Sequence, residues 1–96
     1  MPGIRRLHLD VLKPSEPSII DLAKKLTALK GVETVDIVVK EVDRRVEKVR
    51  IVAEGDNLDF EKMRVVIEGV GASVHGIDRV TSGGKLASES EKGSCF

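Results

Sequence analysis

Two histidines and an aspartate are the residues in this sequence whose types and spacing first suggest chemistry. His8 and Asp10 are two positions apart in an alternating stretch, so a strand would place both side chains on one face. His75 belongs to the last apolar segment, which we expect to run antiparallel beside the first strand. Two imidazoles and a carboxylate can bind a divalent metal ion, and we therefore treat this group as a candidate site.

The same face offers more polar side chains, and it also has a plainer interpretation. Arg6 is expected on the same face of the first strand as His8 and Asp10, and Asp78 comes at the end of the last strand. The candidate ligand-binding residues are therefore Arg6, His8, Asp10, His75 and Asp78. The alternative is a solvated surface of mixed charge, or a face that is buried in an oligomer.

Three carboxylates near the middle of the chain form a second candidate site. Glu41, Asp43 and Glu47 would cluster at the tip of a hairpin, and an all-oxygen cluster suits calcium or magnesium, particularly if a second subunit adds ligands. Basic residues lie close by in the sequence and could simply neutralise these carboxylates; they are Arg44, Arg45 and Lys48.

The elements that must position these residues can be predicted from periodicity and end signals. Alternation from Ile4 to Leu12 predicts a strand, and apolar residues at helical spacing predict a helix from Ser18 to Lys30 that ends at Gly31. Asp59 is predicted to cap a second helix that ends near Gly69. Two strands of a hairpin lie between the helices, from Val32 to Gly55, and a last strand runs from Ala72 to Val80.

The hairpin needs a particular connection if its apolar residues are to face the helices. Both strands can do so only if the loop has an odd number of residues or a bulge shifts the register. We predict the three-residue loop Arg44-Arg45-Val46, which would pair Asp43 with Glu47. The tip has no Asn-Gly or Asp-Gly pair, which disfavours a two-residue turn.

The resulting βαββαβ order predicts an α+β fold of the ferredoxin-like type. Right-handed crossovers give a four-stranded antiparallel sheet with both helices on one face and with the first and third strands central. Residues 1–82 form this domain, and residues 83–96 are expected to be a disordered polar tail, because they are rich in Ser, Glu, Lys and Gly.

Composition excludes several classes of function. The 96 residues include 16 basic and 16 acidic side chains, and this balance argues against binding to nucleic acid or to anionic lipid. No apolar run approaches the roughly 20 residues of a membrane span, and the strand pattern begins at once, so we expect no signal peptide and a cytoplasmic protein.

The cysteine content and the known catalytic motifs also limit the chemistry. The one cysteine, Cys95, cannot form an internal disulfide. No Walker loop, His-Glu-x-x-His motif or Ser/His/Asp arrangement occurs.

The edge strands favour self-association. The second and fourth strands would expose unpaired backbone groups, and we expect Val38 and Val42 on the face without helices. Exposed edges and apolar residues on a protein of zero net charge are typical of a surface that assembles. We therefore expect a homo-oligomer.

Several short motifs together resemble a small archaeal family of unknown function. They are Gly3-Ile4-Arg5-Arg6-Leu7, Leu9-Asp10-Val11-Leu12-Lys13-Pro14, Glu41-Val42-Asp43, Ala53-Glu54-Gly55, Asp59-Phe60 and His75-Gly76-Ile77-Asp78-Arg79-Val80. The sequence departs from the family at Gly76, where serine is common. The resemblance implies a ferredoxin-like fold and an archaeal cytoplasmic protein in a ring-like or other homo-oligomer, and it supplies no activity or catalytic residues.

These observations predict a non-catalytic, homo-oligomeric protein that binds a divalent cation or another small ligand. One alternative is an enzyme whose site is completed at a subunit interface, with His8 or His75 as general base, because histidine titrates near neutral pH. A third possibility is a purely structural interaction module.

Overall fold

The computed structural model describes residues 3–84 and confirms the predicted order of elements. The strands and helices are β1 (Gly3–Pro14), α1 (Ile19–Thr27), β2 (Val32–Asp43), β3 (Val46–Gly55), α2 (Phe60–Gly69) and β4 (Ser73–Gly83). All neighbouring strands are antiparallel, and the order across the sheet is β2-β3-β1-β4. β1 and β3 are therefore central, as predicted, and β2 and β4 form the two edges.

The core lies between one face of the sheet and the two helices. Leu7, Leu9 and Val11 alternate along β1 and are buried, and each pairs with a buried residue of β3. The helices add residues at helical spacing to the same cluster, namely Leu22, Leu26, Met63 and Ile67. The opposite face of the sheet, which we call the open face, carries the polar side chains of the central strands.

Both helices begin where the sequence predicts, but α1 ends earlier. Ser18 Oγ accepts a hydrogen bond from the Asp21 amide, and Asp59 caps α2 in the same way. α1 ends at Thr27 rather than at Lys30. The reason is that the Leu29 amide donates to Leu26, three residues back, which tightens the chain before Gly31 at φ 90°.

The hairpin between β2 and β3 differs from the prediction. Asp43 pairs with Val46, so the connection is a two-residue turn of Arg44 and Arg45, and the predicted three-residue loop is wrong. A bulge at Lys40 supplies the register shift instead, because Val39 pairs with Val49 while Glu41 pairs with Lys48.

This register also corrects the expected position of Val42. The residue pairs with Glu47, which in turn pairs with the buried Lys13 of β1. Paired residues share a face of the sheet, so Val42 lies on the helix side. Val38 pairs with Arg50 and lies on the open face, as predicted.

Bulges in β4 explain why its sequence does not alternate. His75 and Asp78 are skipped in the pairing with β1, so Val74, Ile77 and Val80 all pair with apolar residues of β1. The strand continues to Gly83, one residue beyond the predicted domain boundary at residue 82. Residues 85–96, which make up most of the predicted tail, lie outside the described residues.

Neither helix within residues 3–84 has the length and apolar character that a membrane-crossing helix requires.

Candidate functional site

The open face holds the polar residues of β1 opposite charged residues of β3. Arg6 pairs with Glu54, and its Nε lies 2.7 Å from Glu54 Oε2. Asp10 pairs with Arg50 across the same two strands. The alternation of β1 therefore places Arg6, His8 and Asp10 on one face, as their spacing predicts.

Arg50 is the residue that connects two of the predicted site residues. Its Nη2 donates to Asp78 Oδ2 at 2.9 Å, and its Nε lies 3.6 Å from Asp10 Oδ1. Asp78 reaches this face because it is the bulged residue of β4. Arg50 was not among the predicted site residues, although its position on the neighbouring central strand is a signal that could have indicated it.

His8 lies beside this group in a setting that disfavours its charged form. Burial lowers the pKa of His8 below its usual 6.5, the positive charges of Arg79, Arg6 and Arg50 lower it further, and Asp78 opposes them. His8 Nε2 is buried and has no hydrogen-bond partner within residues 3–84. The neutral imidazole therefore predominates at neutral pH.

His75 lies close to Asp10. Both His75 and Asp10 line a cavity of about 640 Å³ on the open face, and Asp10 pairs with Gly76, the residue after His75. The structure thus brings Asp10 together with His75 in one cavity and with Asp78 through Arg50. His8 does not line the cavity.

The three hairpin carboxylates are not brought together. Glu41 Oε1 lies 4.0 Å from Lys48 Nζ, and Asp43 lies at the turn. Glu47 belongs to the opposite face, where its carboxylate is 2.9 Å from Lys13 Nζ. The prediction of a cluster depended on the three-residue loop, which the structure does not have. Over residues 3–84, no three His, Cys, Asp or Glu side chains are arranged to hold a metal ion.

A larger cavity, of about 780 Å³, lies at the start of α2, but its acidic residues already have structural partners. Asp56 pairs with Arg5, and Asp59 caps the helix. The open-face cavity is therefore the stronger candidate, because it combines charged residues from β1, β2 and β3 with a histidine of β4.

The order of elements and the antiparallel sheet with one open polar face define an α+β protein of the ferredoxin-like arrangement. A family model described as "Uncharacterized ArCR" matches residues 5–94, and the chain belongs to this family, DUF211. It is also similar to the uncharacterised protein MJ0319 of Methanocaldococcus jannaschii, with 47% identity over 89 residues that cover 93% of this chain and 92% of the relative. These findings confirm the resemblance to an archaeal family of unknown function.

Proposed function

We propose that this protein is a cytoplasmic homo-oligomer that binds a small ligand on the open face of its sheet without catalysing a reaction. The observation that carries this proposal is the 640 Å³ cavity, to which all four strands contribute side chains. Its volume lies within the range of ligand pockets, and convergent polar groups on a rigid sheet are typical of binding sites.

Binding is favoured over catalysis by the setting of the two histidines. His8 Nε2 is buried, so this nitrogen cannot take a proton from a substrate in the cavity. Within residues 3–84, neither histidine forms a hydrogen bond to a carboxylate or a hydroxyl group, the pairing that an activated nucleophile and its base require. This supports the non-catalytic interpretation over an enzyme that uses either histidine.

Self-association is supported by the two edges of the sheet. On the helix side, β2 exposes Val42 at 65%, and β4 exposes Ile77 at 47% and Val80 at 51%. An edge with apolar side chains and free backbone groups can pair with another strand. If β2 of one copy paired with β4 of the next, the sheet would continue from copy to copy, and such a head-to-tail contact closes into a ring when its rotation allows.

A divalent cation would need ligands from more than one copy. The carboxylates that line the cavity are Asp10 and Glu41, and both already lie near basic side chains of the same chain. A cation site completed by a second subunit therefore belongs to the same proposal, and removal of metal tests it.

Native mass spectrometry of the untagged protein, with and without chelator, tests the assembly and the metal together. We expect a defined oligomer, and we expect Val80→Lys and Val42→Lys to dissociate it, because each places a charge on an edge that must be desolvated. Ile20→Lys is the matched control, since Ile20 is equally exposed on α1 and away from the edges. A wild-type monomer would overturn the proposed assembly. One ion per chain that chelator removes would establish the shared cation site.

A further inference from the structure

The open-face cavity contains more cationic than anionic groups. It is lined by Asp10, Val11, Leu12, Lys40, Glu41, Lys48, Arg50 and His75. Arg50 lies near Asp10 and Lys48 lies 4.0 Å from Glu41, so each carboxylate has one basic neighbour. Lys40 has no ion-pair or hydrogen-bond partner within residues 3–84. One ammonium group is therefore left over at a concave surface, where fixed charge raises the local concentration of ions of opposite sign.

The residues at two separate bulges line this same cavity. Lys40 is the residue skipped in the pairing of β2 with β3, and His75 is skipped in the pairing of β4 with β1. β2 and β4 are the opposite edges of the sheet, so the bulges approach the cavity from both sides. A bulge turns a side chain away from its regular direction and is frequent next to functional sites.

The donors in the cavity also differ in kind. Lys40 and Lys48 carry ammonium groups, and Arg50 carries a planar guanidinium group. One nitrogen of this guanidinium donates to Asp78, but the Arg50 side chain is still 41% exposed. Guanidinium and ammonium groups together suit carboxylate and phosphate oxygens. Leu12 supplies an apolar wall for the remainder of an organic ligand.

We infer that the ligand of the open-face cavity is a small anion with a carboxylate or phosphate group, held by Lys40, Lys48 and Arg50. The inference rests on the proposed function and gives its ligand a chemical class. Lys40 supplies the charge that no carboxylate of the described chain neutralises, and His75 adds a polar contact from the opposite edge.

The experiment is a titration of the full-length, ¹⁵N-labelled protein with inorganic phosphate and with succinate, followed by NMR at an ionic strength held constant with sodium chloride. We expect saturable shifts of the Lys40, Lys48 and His75 amide signals with at least one probe. Saturation by phosphate alone assigns a phosphate group, and saturation by succinate alone assigns a carboxylate. Lys40→Gln should weaken binding about tenfold, because a charged hydrogen-bond donor is lost.

Lys25→Gln is the control, since Lys25 is an exposed lysine of α1 outside the cavity. Equal weakening by both variants, or shifts that stay linear, would show only general ion screening and would overturn the inference.

Parallel titrations with calcium and with a panel of neutral small molecules distinguish failure of the anion inference from failure of the proposed ligand binding. If these bind at the cavity and the anions do not, the anion inference fails while ligand binding stands. If no probe of any charge moves these signals, both fail.

Discussion

Lys13 Nζ lies 2.9 Å from Glu47 Oε1, and the Lys13 side chain is fully buried. The same ammonium group donates to the carbonyl oxygens of Pro14 and Pro17, each at 2.7 Å. It therefore joins the end of β1, the loop that follows and the start of β3. The carboxylate that the sequence analysis assigned to a metal site is in fact the partner of a buried lysine.

Replacing this lysine should destabilise the fold more than any surface change. Lys13→Met keeps much of the apolar stem but removes a buried charge, leaving Glu47 and three backbone carbonyl groups without their donor. We expect a loss of about 2–4 kcal/mol in the free energy of unfolding, measured by urea denaturation. Lys25→Met, on the exposed side of α1, is the control and should change stability by less than about 0.5 kcal/mol.

The partner variant measures the coupling between the two groups. Glu47→Gln should cost about 1–3 kcal/mol, because the ammonium group keeps its three carbonyl acceptors. In a double-mutant cycle, the combined loss should be smaller than the sum of the two single losses. Strict additivity would mean that the two side chains do not interact in solution.

The lowered pKa of His8 predicts how stability depends on pH. In the unfolded chain, the imidazole of His8 becomes protonated near pH 6.5. In the folded protein it is still neutral at this pH, because burial and the neighbouring arginines disfavour the charged form. The unfolded state thus binds more protons as the pH falls below 6.5, and the free energy of unfolding should decrease there. Urea denaturation at a series of pH values checks this.

Three variants isolate the contribution of His8 and of the charges around it. His8→Gln should reduce the loss of stability below pH 6.5. Arg79→Gln should raise the pKa of His8 toward its usual value, and Asp78→Asn should lower it further; both shifts can be read from the imidazole signals by NMR. An Arg79→Gln variant in which the His8 pKa falls would contradict the electrostatic account.

The two-residue turn predicts a stabilising substitution. Arg44 has φ 56°, a left-handed conformation that is unfavourable for a residue with a Cβ, whereas φ of Arg45 is not positive. We expect Arg44→Gly to raise the free energy of unfolding by about 0.5–1 kcal/mol. Arg45→Gly is the control and should lower stability, because glycine there only adds freedom to the unfolded chain. The reverse ranking would contradict the turn geometry.

Local patterns in the sequence determined the elements, their order and the buried face of the central strands. Leu7, Leu9 and Val11 alternate with His8 and Asp10, and this alternation alone assigns one set to the core and the other to the open face. Ser18 and Asp59 mark the helix starts because capping depends on residues three positions away. Such signals are short-range and can be read without the tertiary structure.

Only the tertiary structure decided which side chains meet. The bulges at Lys40, His75 and Asp78 depend on the register of a neighbouring strand, and no local pattern encodes that register. One skipped residue in β2 moved Val42 to the helix side and left the hairpin carboxylates on different faces. The burial of Lys13 likewise depends on Glu47, which lies 34 positions further along the chain and becomes its neighbour only when β1 and β3 pair.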